Sequence, residues 1–272
     1  MMDAAKILEG YPEKLNCNLR DFWNAQSIDI NNKELFEVVG GILARQTTLA
    51  IRFSMAVEFW NGEMAPLVLR CMIDNLINLA WMLKEPETRI PMFIGYGLGQ
   101  EKLMIEHLKE QVKKMGQDSD NVPEIQDMER ELSYSRFPMI TDVDVGSWSK
   151  KSQREMAIEC GLEDHYHLGF TPMSSVVHNQ WNAIMNHHLI RSENPLHQGL
   201  LIPRIENNFT CTFQWVQEST LYLDMAYNRA FESGCFKNPD PWESACEWLT
   251  RRLPVDNGIP KASEDSPLKD IE

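Results

Sequence analysis

Arg70, Asp74 and Asn78 stand one turn apart in one of the most apolar stretches of this chain, among Leu69, Met72, Ile73, Leu76, Ile77, Leu79 and Trp81. Residues four apart share a helix face and drift round it by about 40° per step. A polar stripe with so little polar surface beside it points inward or into a cleft. An arginine keeps its charge when buried and needs fixed acceptors. Two kinds of chemistry are open to it. Arg70 held by Asp74 can bind an anion or steady the negative charge of a transition state. Otherwise the two form an ion pair that orients packed helices. The acid follows the arginine, the weaker order for a pair within one helix, so support of an isolated helix is a poor explanation.

The complement lies downstream, between Trp148 and His178. It reads W-S-K-K-S-x-R-E-M-A, then G-L-x-x-x-Y, and closes on S-S-V-V-H. His178 is the candidate acid/base, because imidazole titrates near neutrality. Ser174 precedes it by one turn and can hydrogen-bond the ring. A nucleophilic Ser174 would also need a carboxylate behind the histidine and an oxyanion hole. No G-x-S-x-G elbow is present, so Ser174 reads as a binding residue beside Asn78, Tyr96 and Tyr166. The catalytic set is then His178, Arg70 and Asp74, which are expected to converge because mutual satisfaction is the cheapest arrangement for costly polar groups. The structural alternative is a helix–helix hydrogen bond from His178 to a partner such as Asp74.

Other spacings carry less. His178 and His187 fall on opposite sides of a continuous helix, His187 and His188 diverge, and no H-E-x-x-H occurs, so neither metal nor cofactor is expected. Gly95, Gly97 and Gly99 follow no strand and precede no lysine at phosphate-loop spacing. They read as a kink or close packing around Tyr96. Arg191 and His197 match a loose spacing found in helical ribonucleases, but Pro195 between them argues against a regular helix, and the match is noise unless both lie beside Arg70.

The elements that must position these groups are helical nearly throughout. An opening helix is split near Pro12. Apolar positions Leu35, Val38, Val39, Ile42, Leu43, Leu49 and Phe53 predict a helix from Lys33 to about Trp60. Others run from Met64 to Lys84, from Pro91 to Met115, and from Pro123 to about Tyr134. Ser152 with Glu155 is a capping box, and Gly161 ends that helix. The next starts near Pro172, holds His178 and continues towards Ile190. Residues 191–208 read as irregular. A last long helix covers Phe209 to Ser233, with a short one after Pro241. No alternation is long enough for a sheet, so the fold class is all-α, a single-domain helical bundle over 1–254. The acidic, proline-bearing tail 255–272 is expected to be disordered.

Composition bounds the function. The 272 residues carry a formal net charge of −14, with a pI near 5.0. That argues against broad attraction to nucleic acid or anionic membrane. Lys150, Lys151 and Arg154, like Lys109, Lys113 and Lys114, read as solvated faces. Six scattered cysteines without a C-x-x-C pair and an N-terminus without an apolar signal core point to the reducing cytoplasm. Arg70, Asp74 and Asn78 also break the best candidate membrane span. In the helix 209–231, Phe209, Phe213 and Val216 form an apolar stripe that would serve as core or as a homodimer seam.

L-R-C-M-I-D-N-L-I-N-L-A-W-M-L-K with F-I-G-Y, followed by the two downstream blocks, resembles an uncharacterised, largely bacterial helical family of unknown function. The resemblance covers about residues 35–182 and rests on Arg70, Asp74, Tyr96, Trp148, Tyr166, Ser174 or Ser175, and His178. Where that family often has a second tyrosine, this chain has Phe170. The resemblance implies an all-helical fold and no agreed activity. Two functions stay open: a small hydrolase or RNA-cleaving effector of a bacterial stress or phage-defence system, with an unknown substrate, or a non-catalytic interaction or regulatory module whose polar stripe is structural.

Overall fold

A computed structural model describes residues 4–134, 146–205 and 210–253. The expected disordered tail 255–272 and Phe209 lie outside the described residues. The fold is an all-α bundle. In chain order its helices are α1 (Ala4–Ile7), α2 (Tyr11–Asn24), α3 (Lys33–Ser54), α4 (Ala65–Met82), α5 (Pro86–Lys114) and α6 (Pro123–Tyr134). These are followed by α7 (Gln153–Glu159), α8 (Glu163–His165), α9 (Thr171–Val177), α10 (Trp181–His188), α11 (Gln214–Glu232) and α12 (Ala245–Thr250). A π-helical turn, Tyr166–Phe170, joins α8 to α9.

The core forms where α11 packs against α3 and α4. Leu69, Met72, Ile73, Leu76, Ile77 and Leu79 of α4 are wholly buried, as are Val39 and Leu43 of α3 and Leu223 and Ala226 of α11. Each such side chain contributes about 1.5–3 kcal/mol relative to exposure. With apolar residues on most of its sides, α4 needs cover from several neighbours. The block α7–α9 packs on a further face, leaving Leu67 and Cys71 exposed, while α2 packs on α3 and on α12. Asp224 of α11 fixes α12 by accepting from the backbone N–H groups of Ala245 (3.0 Å) and Cys246 (2.7 Å).

Several boundaries differ from expectation, each for a local reason. The opening helix is split near Pro12 as expected, between Ile7 and Tyr11, and Pro12 sits in the first turn of α2, where its missing N–H costs nothing. The helix expected to reach Trp60 stops at Ser54, and Asn61 then accepts from the N–H groups of Glu63 and Met64 at the entry to α4. Pro91 lies inside α5, which starts at Pro86. The helix expected to carry His178 onward breaks there: His178 caps α9, Asn179 has φ +51°, and Gln180 is extended. The stretch read as irregular holds an antiparallel hairpin of β1 (Leu189–Arg191) and β2 (Leu201–Pro203), with Ile190 opposite Ile202. Strands of three residues are too short to show alternation. Cys71, within the apolar α4, is exposed. Of the stripe read as core or dimer seam, Val216 is fully buried and the half-buried Phe213 packs edge-on against Trp60.

Candidate functional site

The polar stripe of α4 meets a different element at each step. At its first position the Arg70 guanidinium donates through Nε to Ser174 Oγ (2.8 Å) and through Nη1 to Asp74, and lies flat on the Phe170 ring, 3.2 Å from the centroid. The Arg70 side chain is 12% exposed, and that of Asp74 is 34% exposed. Ser174 Oγ in turn donates to the Phe170 carbonyl (2.7 Å). Burial raises the Asp74 carboxyl above its ordinary range, and the Arg70 charge only partly offsets this. At the third position Asn78 accepts from Gln153 Nε2 of α7 (3.0 Å). The Gln153 Oε1 atom is buried without a hydrogen-bond partner among the described residues.

His178 does not join this network. It is exposed at the α9–α10 turn, and among the described residues its ring makes no hydrogen bond or ion pair. The three-way meeting of Arg70, Asp74 and His178 is therefore corrected: Ser174 takes the place expected of the histidine, whose ring stays exposed at the end of α9. Tyr166 is half-buried and stacks on Phe170 at 4.7 Å, one ring removed from Arg70. Tyr96 is half-buried on α5 and makes no hydrogen bond among the described residues, and added Cβ atoms at Gly95 and Gly97 would meet none of their atoms within 4 Å. Close packing does not explain those glycines.

Two arrangements escaped sequence reasoning. Arg89, 6% exposed, lies 3.9 Å from the centroid of the Trp81 ring, donates to the Trp81 carbonyl (2.8 Å) and pairs with Glu159 Oε1 at 2.8 Å. Glu159 also accepts from Trp81 Nε1 (2.9 Å) and Lys151 Nζ (2.6 Å), while Lys84 reaches its carbonyl. These donors pull the Glu159 carboxyl down to about 2, with the Lys151 hydrogen bond the largest cause. The second arrangement is a cavity of about 130 Å³ between the start of α4 and the α9–α10 turn, whose lining includes Glu63, Asn179, His187 and His188. His188 Nε2 lies 2.9 Å from Glu63 Oε1. The adjacent histidine pair was the available signal, but spacing alone does not bring Glu63 to it.

The hairpin holds Arg191 and His197, neither of which contacts Arg70. Ser192 Oγ and Asn194 Nδ2 occupy the two ring nitrogens of His197, at 2.7 and 3.2 Å. That histidine orders a turn. Among the described residues no three His, Cys, Asp or Glu side chains converge as a metal would require, and no helix is long and apolar enough to cross a membrane.

A family profile described as a family of unknown function (DUF5677) matches residues 36–195, more than half of the chain. The chain belongs to this family. No curated protein and no solved structure matches it.

Proposed function

We propose, for this member of a family with no assigned activity, that the chain is a non-catalytic interaction or regulatory module whose polar stripe is structural. The observation that carries this reading is the closed hydrogen bonding of Ser174. Its hydroxyl gives its proton to a main-chain carbonyl and receives one from Arg70, so no base is placed to activate it. Arg70, Asn78 and Trp81 each hold a different part of the α7–α9 block, which is the work of a docking rail. The scattered cysteines, with no C-x-x-C pair among them, support a reducing compartment, and we place the protein in the cytoplasm.

A hydrolytic or RNA-cleaving activity is the second reading, favoured by one observation: Asp74 is one-third exposed beside a guanidinium, with its carboxyl raised towards the range of a proton donor. One experiment separates the two. Purified protein is assayed on single-stranded RNA and on nitrophenyl ester and phosphate substrates, beside folded His178→Ala and Asp74→Asn variants. The module reading expects no turnover above buffer and an unchanged Tm for His178→Ala. Turnover that either folded variant abolishes would overturn it.

A further inference from the structure

The segment 165–205, which runs from the π-helical turn through the hairpin, differs from the rest of the surface in charge and polarity, and its hairpin differs in backbone pairing. Residues 165–205 contain six of the seven histidines but only one of the 40 acidic residues, Glu193, against Arg191 and Arg204. The segment is therefore formally +1 in a chain of −14. It also carries eight of the eighteen large apolar side chains exposed among the described residues, including Trp181 (63%), Ile190 (46%), Leu196 (86%) and Ile205 (83%). Apolar surface gathered in this way marks an interaction site.

The backbone names the mode. Ser192 N–H donates to the Leu200 carbonyl and Arg204 N–H to the His188 carbonyl, both at 2.8 Å, so the even-numbered residues of β1 pair inward. By the alternation of an antiparallel ladder, the N–H and C=O groups of Leu189 and Arg191 point away from β2. Among the described residues no hydrogen bond engages them. On β2 the corresponding edge contains Pro203, which has no N–H to offer. One edge of the hairpin is blunted and the other is open, and open edges are templates for another strand.

We infer that β1 pairs with β1 of a second copy about a two-fold axis, giving a four-stranded antiparallel sheet. The edge is self-complementary: Leu189 pairs with the other copy's Arg191, Arg191 with its Leu189, and Ile190 faces its own counterpart. Charge selects this occupant. Two chains of −14 repel each other through most of their surfaces and approach at least cost through the segment with a single acid. A stable interface takes about 20–30 residues a side, which the segment can furnish. The same contact covers apolar side chains that the monomer leaves in water.

The inference goes beyond the module reading and survives its failure, since a dimer with turnover would remove the module and leave the seam. The test is sedimentation equilibrium of the full chain at tens of micromolar, beside Ile190→Lys and Arg191→Pro. Proline at residue 191 deletes an outward N–H without touching the inner ladder. The expected result is twice the 31.5 kDa chain mass for the wild type, and dimerisation at least tenfold weaker in both variants with helical circular dichroism unchanged. If Arg191→Pro fails to fold, Ile190→Lys decides alone. A wild-type monomer overturns the inference, as does a dimer that folded Ile190→Lys leaves intact. A monomer that instead co-floats with anionic vesicles would assign the patch to a membrane and overturn it equally.

Discussion

Arg70 is the most constrained side chain of the site, and three substitutions separate what holds it. Arg70→Met keeps the bulk on Phe170 but strands Asp74 without its counter-charge. The expected cost is about 2–4 kcal/mol in denaturant unfolding, since breaking a half-buried pair leaves an uncompensated charge. Arg70→Lys, which loses the fork that reaches both Asp74 and Ser174, should fall between. His178→Ala should lie within about 0.5 kcal/mol of wild type, as an exposed side chain without partners does. Asp74 has a pH signature. Because its folded carboxyl is raised above 3.8, the folded state holds that proton more tightly. The linked stability is complete below 3.8 and is lost as pH rises through the folded value. Relative to Asp74→Asn, the wild type should lose stability just above pH 3.8, read from denaturant midpoints. At this scale the sequence displayed Arg70 and Asp74 because they interrupt an apolar helix. It hid Phe170, whose ring face under the guanidinium depends on how α9 is turned, and it misjudged His178, which keeps the helical bond to the Ser174 carbonyl but whose ring is left exposed at the end of α9.

At the scale of elements, a capping box was the most legible feature. Ser152 with Glu155 starts α7 as its spacing required, whereas the same box of Ser244 with Glu247 at the start of α12 went unread. Ser152→Ala should cost about 1 kcal/mol, measured by thermal unfolding. The tie between α4, α5 and α7 was not legible, because Arg89 and Glu159 share no motif and meet only after three helices have packed. Its signature has the opposite sign to that of Asp74. With the Glu159 carboxyl lowered from 4.5 to about 2, its stabilisation is present above 4.5 and drains away as pH falls towards 2. Glu159→Gln should flatten that part of the acid-unfolding profile. The π-helical turn carries a steric constraint. A Cβ on Gly169 would lie 2.9 Å from both Ile73 Cδ1 and the Tyr222 hydroxyl, so Gly169→Ala should destabilise by about 1–3 kcal/mol, seen as a lower Tm.

For the whole molecule, periodicity sufficed for the helical class and for α3 and α4 as its apolar members. It did not place α11 at the centre. A helix with Trp, Tyr and Glu interleaved looks like a surface helix until its neighbours are known. The family match ends at residue 195, before α11 begins, so the matched segment does not carry its whole core. A chain ending at residue 205 should lack a cooperative unfolding transition and bind an apolar dye, which calorimetry and fluorescence would show. The position of α11 also has a consequence in time. During synthesis the ribosome releases α3 and α4 well before the helix that covers them. At about 5–20 residues per second, the nascent chain holds its two most apolar helices uncovered for on the order of ten seconds, a standing invitation to a chaperone that a helix of the same sequence placed near the N-terminus would never extend.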